Sequence, residues 1–103
     1  MAIENHAGFI SSIHKDTLTP WITTTEADQT ITFTDMNGKK YNLNSLTIEA
    51  ETTDLYIQIL PSEYCIYIKA GESSGIDYLK ISQIKVLGSL GQKLRWSGLY
   101  YWR

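Results

Sequence analysis

The chain has 103 residues, enough for one core but not for two, since at about this length folding buries roughly 60–70% of the surface the unfolded chain exposes. Hydrophobic residues make up 43% of it and charged residues 19%, too apolar a mixture for a disordered polymer. The formal net charge is -2 with both signs interspersed, so nothing offers the basic stripe that nucleic-acid phosphates need, and no apolar run approaches a membrane span.

Eleven Thr, seven Tyr, three Trp and many Ile favour half-buried strands, while Ala, the best helix former, is scarce. The start, Met1 to Ile10, lacks the basic and apolar regions of a signal peptide, which predicts synthesis and folding in a cytoplasm. Phe9, Ile10 and Ile13 suggest a short strand, and Pro20-Trp21-Ile22 an edge strand. Because patterning is weak before Thr30, residues 1–21 also read as an N-terminal arm that orders against a neighbour.

From Thr30 to Leu43, alternating apolar positions flank Asn37-Gly38, a pair suited to the two positive φ values of a type I′ turn. This predicts a hairpin with Ile31, Phe33, Tyr41 and Leu43 inward and Thr30, Thr32, Thr34 and Lys40 outward. The alternation continues to Ala50 with Leu46 and Ile48 inward, and Glu51-Thr52-Thr53-Asp54 is a turn. Leu55 to Leu60 is a strand ended by Pro61, which has no N–H to offer a ladder.

Tyr64 to Lys69 is the next strand, with Cys65 expected as a small buried hydrophobe. Ala70 to Gly75 reads as a flexible loop, followed by two short strands or one bent strand from Ile76 to Leu87, and Gly88 to Gly91 as a tight connection. The last strand begins near Gln92, and Gly98 marks a bulge that would switch the faces of the final aromatics. Seven or eight short strands with turns every 8–12 residues or so predict an all-β fold, a small antiparallel β-sandwich, with a jelly roll or small barrel as alternatives. Residues 1–103 form a single domain on this reading, with no repeat or linker.

Catalytic signatures do not assemble. His6 and His14 lie eight positions apart in the least regular segment, matching no common metal spacing. The single cysteine excludes an intrachain disulfide and a thiolate zinc site. Glu49, Glu51 and Asp54 flank a turn and are explained by solvation, and Asp35-Met36-Asn37-Gly38 lacks the later ligands of a calcium loop. Gly71 to Gly75 has neither the lysine nor the helix of a phosphate loop. The reading is therefore non-enzymatic, with no cofactor.

The unusual feature is the aromatic load near the end: Trp96, Tyr100, Tyr101 and Trp102 beside Arg95 and Arg103. Trp, Tyr and Arg are the residue types enriched at interfaces. Trp96 and Tyr101 read first as core. Tyr100 and Trp102 read equally as core or contact, because a strand in a two-layer sandwich cannot bury both faces unless a neighbour covers one. The candidate interface set is Trp96, Tyr100, Tyr101, Trp102, Arg103 and Trp21. A sugar stacked on an exposed aromatic is the competing use, for which Gln92, Arg95 and Asn42 are available but not grouped.

The stretches Ile66 to Glu72, Ile76-Asp77-Tyr78, Ile81 to Ser89 and Gly91 to Leu99 carry a resemblance, spanning residues 54–102, to small β-rich virion proteins of tailed bacteriophages. The resemblance implies a capsid decoration protein, a head-fibre base or a tail adaptor. Its implied partners are other virion proteins, either major capsid or tail and neck proteins, together with further copies of itself, and neither nucleic acid nor membrane. The implied location is the virion, after synthesis in the host bacterial cytoplasm.

Overall fold

Buried side chains alternate with more exposed ones along residues 46–50, 55–60, 83–87 and 93–99. In a computed structural model, residues 6–12, 21–35, 37–62 and 64–102 are described, with the side chains of residues 6, 7, 78, 79, 101 and 102 outside that description. The strands are β1 (His6–Ser11), β2 (Ile22–Thr23), β3 (Gln29–Thr32), β4 (Leu43–Ala50), β5 (Leu55–Leu60), β6 (Tyr64–Ile68), β7 (Ser73–Ile81), β8 (Gln83–Leu87) and β9 (Lys93–Trp102). One antiparallel sheet has the order β1-β9-β4-β7, with β2 also on β9, and the other has the order β3-β8-β5-β6.

The protein is an all-β antiparallel sandwich, and its pairings nest. β5 pairs with β6, β4 with β7, β3 with β8, and β2 with β9. The chain is thus one long hairpin with its tip at Pro61-Ser62, rolled so that successive pairs fall in alternate sheets. Pairing of β4 with β9 and of β5 with β8 closes the roll. This is jelly-roll connectivity, one of the alternatives the sequence leaves open. β1 adds to the end of β9 from His6↔Trp102 to Ser11↔Ser97, so this part of the expected arm belongs to the sheet. Met1 to Asn5 and Ile13 to Pro20 lie outside the described residues.

The interior is apolar. Phe33, Leu43, Leu46, Ile48, Leu55, Ile57, Ile59, Ile81, Ile84 and Leu94 are fully buried. Burying each such side chain contributes roughly 1.5–3 kcal/mol, which offsets the entropy of ordering the strands. The buried polar groups are answered locally. Ser12 Oγ accepts from Trp96 N at 3.1 Å, and Thr24 Oγ1 accepts from Gln92 N at 3.0 Å. Gln92 Nε2 donates to Leu87 O at 3.1 Å and Ser89 O at 2.8 Å, fastening the β8–β9 loop.

Four expectations are corrected. The hairpin around Asn37-Gly38 is not the two-residue turn of type I′: Gly38 has φ 84, but the backbone bonds at its base join Asp35 to Gly38 and Lys39. Gly38 N bonds to Asp35 O at 3.0 Å and Asp35 N to Lys39 O at 3.0 Å, the three-residue loop with a glycine bulge. Its arms then diverge into different sheets, and beyond the loop a Thr34↔Lys40 bridge and a Tyr41 N to Phe33 O bond join them. Secondly, Ser73 to Gly75 is strand and not loop, because these residues pair with Glu49 to Thr47.

Thirdly, β9 keeps its register through Gly98, and the irregularity falls on the far side of β4, where Leu43↔Ile81 and Ser45↔Asp77 leave one residue of β4 against three of β7. A Cβ on Gly98 would lie 2.6 Å from both Leu43 Cδ1 and Ser45 O, so the glycine makes room for the close approach of β4. Lastly, Cys65 is exposed, because it lies opposite Gln58 on the outer face of the edge strand β6.

Candidate functional site

The uninterrupted register of β9 decides the fate of the terminal aromatics. Trp96 and Tyr100 share the inward face with Leu94. Trp96 is 4% exposed and meets Phe33 edge-on with ring centroids 4.8 Å apart. Its Nε1 has no hydrogen-bond partner among the described residues. Trp96 therefore has no face to offer a partner. Tyr100 is half-buried, its ring 4.3 Å from that of Tyr41 and seated over Gly8, where a Cβ would collide with it.

Trp21 is also half-buried, with the Arg95 guanidinium 4.9 Å from its ring centroid. Tyr101 and Trp102 pair through their backbones with Ala7 and His6, while their side chains, and Arg103 entirely, are outside the described residues. Gln92, Arg95 and Asn42, the possible sugar-binding set, are not brought together: Gln92 is committed to the β8–β9 loop and Arg95 to Glu49 and Trp21.

Two tyrosine–aspartate clamps recur. Asp35 Oδ1 accepts from Asn37 N at 2.8 Å and Lys39 N at 3.0 Å, and Oδ2 accepts from the Tyr41 hydroxyl at 3.0 Å. The Lys39 N–H, with help from Tyr41, holds the Asp35 carboxyl below its ordinary value of 3.8. Donation to Asp35 pushes the Tyr41 phenol up to about 12. Asp54 repeats the pattern between β4 and β5, accepting from Ala70 N at 2.9 Å and from the Tyr67 hydroxyl at 2.9 Å. The Ala70 N–H foremost lowers Asp54, and the bond to Asp54 raises Tyr67.

The sandwich presents two different outer faces. On the β1-β9-β4-β7 sheet, the cross-strand pair Phe9↔Leu99 is exposed, Phe9 at 67% and Leu99 at 37%. The next row, Ser11-Ser97-Thr47, is built of small residues, and beyond it Arg95 Nη2 meets Glu49 Oε2 at 2.9 Å. Small side chains between larger rows leave a depression of about 270 Å³.

On the β3-β8-β5-β6 sheet, Tyr56 and Tyr67 stand opposite each other, 56% and 50% exposed, with ring centroids 4.9 Å apart and planes inclined at 44°. The adjacent row runs Cys65-Gln58-Lys85-Thr30. The sequence reading did not single out this pair, although the signal was present: Tyr56 and Tyr67 are equidistant from the Pro61-Ser62 tip and both fall on the polar phase of their strands.

These features define a class, a small jelly-roll sandwich with an apolar interior and aromatics displayed on its outer faces. Comparison with protein-family models and with curated proteins finds no match. Among solved structures, a protein described as ethanolamine utilization protein Q of Salmonella typhimurium LT2 is similar with a TM-score of 0.42 and 14% identity, over 93% of this chain. The chain spans 58% of that protein's length.

Proposed function

We propose that this protein is a non-enzymatic structural component of a tailed-phage virion, a decoration or head-associated protein that docks on the particle and stabilises it by mass action. The virion setting comes from the sequence resemblance across residues 54–102. The observation that carries the docking role is the exposed Phe9–Leu99 pair, which sits beside the β1–β9 end where the terminal aromatics were expected to make contacts. An exposed apolar pair, with Phe9 at the rim of the depression, gives a partner something to bury, and the polar Ser and Thr row alongside fixes register. Jelly rolls serve in capsids, and such a role needs a stable fold and a contact face but no reactive group. The acidic groups support this reading, since Asp35 and Asp54 tie loops and Glu49 and Glu51 pair with Arg95 and Lys93 across strands.

The test is incorporation into particles, read by mass spectrometry. The double variant Phe9→Ser/Leu99→Ser is expected to reduce incorporation by about tenfold or more with its unfolding midpoint retained. Unchanged incorporation contradicts the assignment of this face. Copy number separates the alternatives: tens to hundreds per particle indicate a capsid lattice, and about three to twelve a neck, tail or fibre ring.

A further inference from the structure

We infer that the outer face of the β3-β8-β5-β6 sheet is a carbohydrate-binding platform, formed by Tyr56 and Tyr67 and completed by Gln58, Lys85 and Thr30, that takes a neutral hexose oligosaccharide. This goes beyond the docking role and uses the opposite face of the sandwich.

Three observations carry it. Tyr56 and Tyr67 are half or more exposed with ring centroids 4.9 Å apart and planes inclined at 44°, so together they turn an angled aromatic surface to solvent. A pyranose ring has one face lined with C–H groups, which stacks on such a surface, and hydroxyls around its edge. Next, the surface is held in place before any ligand arrives. The Tyr67 hydroxyl is bonded at 2.9 Å to Asp54, which is itself held by Ala70 N at 2.9 Å, and both rings stand on paired strands. Binding then orders few side chains, which lowers its entropic cost.

The third observation is the row beside the rings. Gln58 is two residues from Tyr56 along β5, about 7 Å away by strand geometry, and Lys85 and Thr30 continue that row across the sheet. Amide, ammonium and hydroxyl groups at that offset suit the hydroxyls of a sugar stacked on the rings. A protein partner would favour a more apolar surround, because the centres of protein interfaces are depleted in charge. The Asp54 carboxylate beside the tyrosine pair and the Lys85 ammonium in the adjacent row oppose each other in charge, which suits a neutral sugar over a charged one.

The experiment uses the full chain on immobilised α- and β-linked glucan, mannan and galactan hexamers, with sialylated oligosaccharides as controls. Saturable binding to at least one neutral hexamer and weaker binding to the sialylated set is expected. Tyr56→Ala and Tyr67→Ala should each weaken that binding by about tenfold and Gln58→Ala by less, at unchanged unfolding midpoints. Tyr67→Phe keeps the ring while removing its bond to Asp54, so it should retain more binding than Tyr67→Ala; it also reports on the site should the alanine variant fail to fold. The Phe9→Ser/Leu99→Ser variant should bind sugar as the parent does, which separates this platform from the docking face. No binding to any neutral hexamer, or binding that survives both tyrosine replacements, overturns the inference.

Discussion

The chain builds the same clamp twice and uses it for opposite ends. At Asp35–Tyr41 the ring turns inward, packs on Tyr100 and closes one end of the core, while the carboxylate organises the β3–β4 loop. At Asp54–Tyr67 the carboxylate ties the loop before β7 in the same way, but the ring turns outward and lies beside Tyr56 in solvent. The hydrogen-bond chemistry is shared, so the direction in which the ring is set, towards the core or away from it, separates a tyrosine that completes the fold from one that the fold displays. Aromatic content by itself therefore says little about an interface.

Disrupting the inward side should cost most. Phe33 is fully buried, contacts Trp96 edge-on and bonds through its carbonyl to Tyr41 N, so Phe33→Ala should lower stability by about 3–5 kcal/mol in urea unfolding. Such a loss is a large share of the whole stability of a small domain. Gly98→Ala comes next, at about 1–3 kcal/mol, because its Cβ would meet the Ser45 carbonyl, a backbone atom that cannot swing away, as well as the Leu43 side chain. A Gly98→Ala protein as stable as its parent would contradict the close approach of β4 and β9. On the outward side, Tyr56→Ala should cost less than about 1 kcal/mol, the size of one cross-strand pair on an exposed face.

The clamps also predict a pH dependence of opposite sign at the two ends of the scale. Asp35 and Asp54 titrate in the fold below their ordinary 3.8, so their contribution is complete above that value and is lost as pH falls through the lower folded values. Tyr41 is raised from 10.0 to about 12, so its contribution is complete below pH 10 and is lost as pH rises towards 12. Ultraviolet titration should show Asp35→Asn returning the Tyr41 ionisation towards 10, and Asp54→Asn moving that of Tyr67 in the same direction. If neither replacement moves a tyrosine, the clamps are not formed in solution.

Much of the fold could be read from the chain because local pattern and tertiary role agree. Leu55 to Leu60 is a strand with the expected bounds, since alternation ends at a proline that cannot donate. The inward set Ile31, Phe33, Leu43, Leu46 and Ile48 follows from period two alone. The misreadings arise where a distant partner decides. Asn37-Gly38 has I′ chemistry, but Asp35 captures the Asn37 and Lys39 N–H groups and the arms leave for different sheets. Gly98 looks like a bulge until the close approach of β4, which leaves no room for a Cβ there, is known.

The site was less legible for the same reason. Trp96 and Tyr100 form a conspicuous run with their neighbours, yet share the core-facing phase of β9, whereas Tyr56 and Tyr67 are eleven positions apart and become a pair only when the β5–β6 register is fixed. Cys65 followed the apolar look of its neighbours, but an edge strand leaves its outer phase to solvent.

The most direct test of this division is a pair of urea unfolding curves, for Tyr41→Ala and Tyr67→Ala, under identical conditions. The inward tyrosine should lower the midpoint clearly and the outward one should leave it close to that of the parent, with the slope unchanged in both. Equal losses would contradict the account, because Tyr67 would then be part of what holds the fold together instead of a ring held out for a ligand.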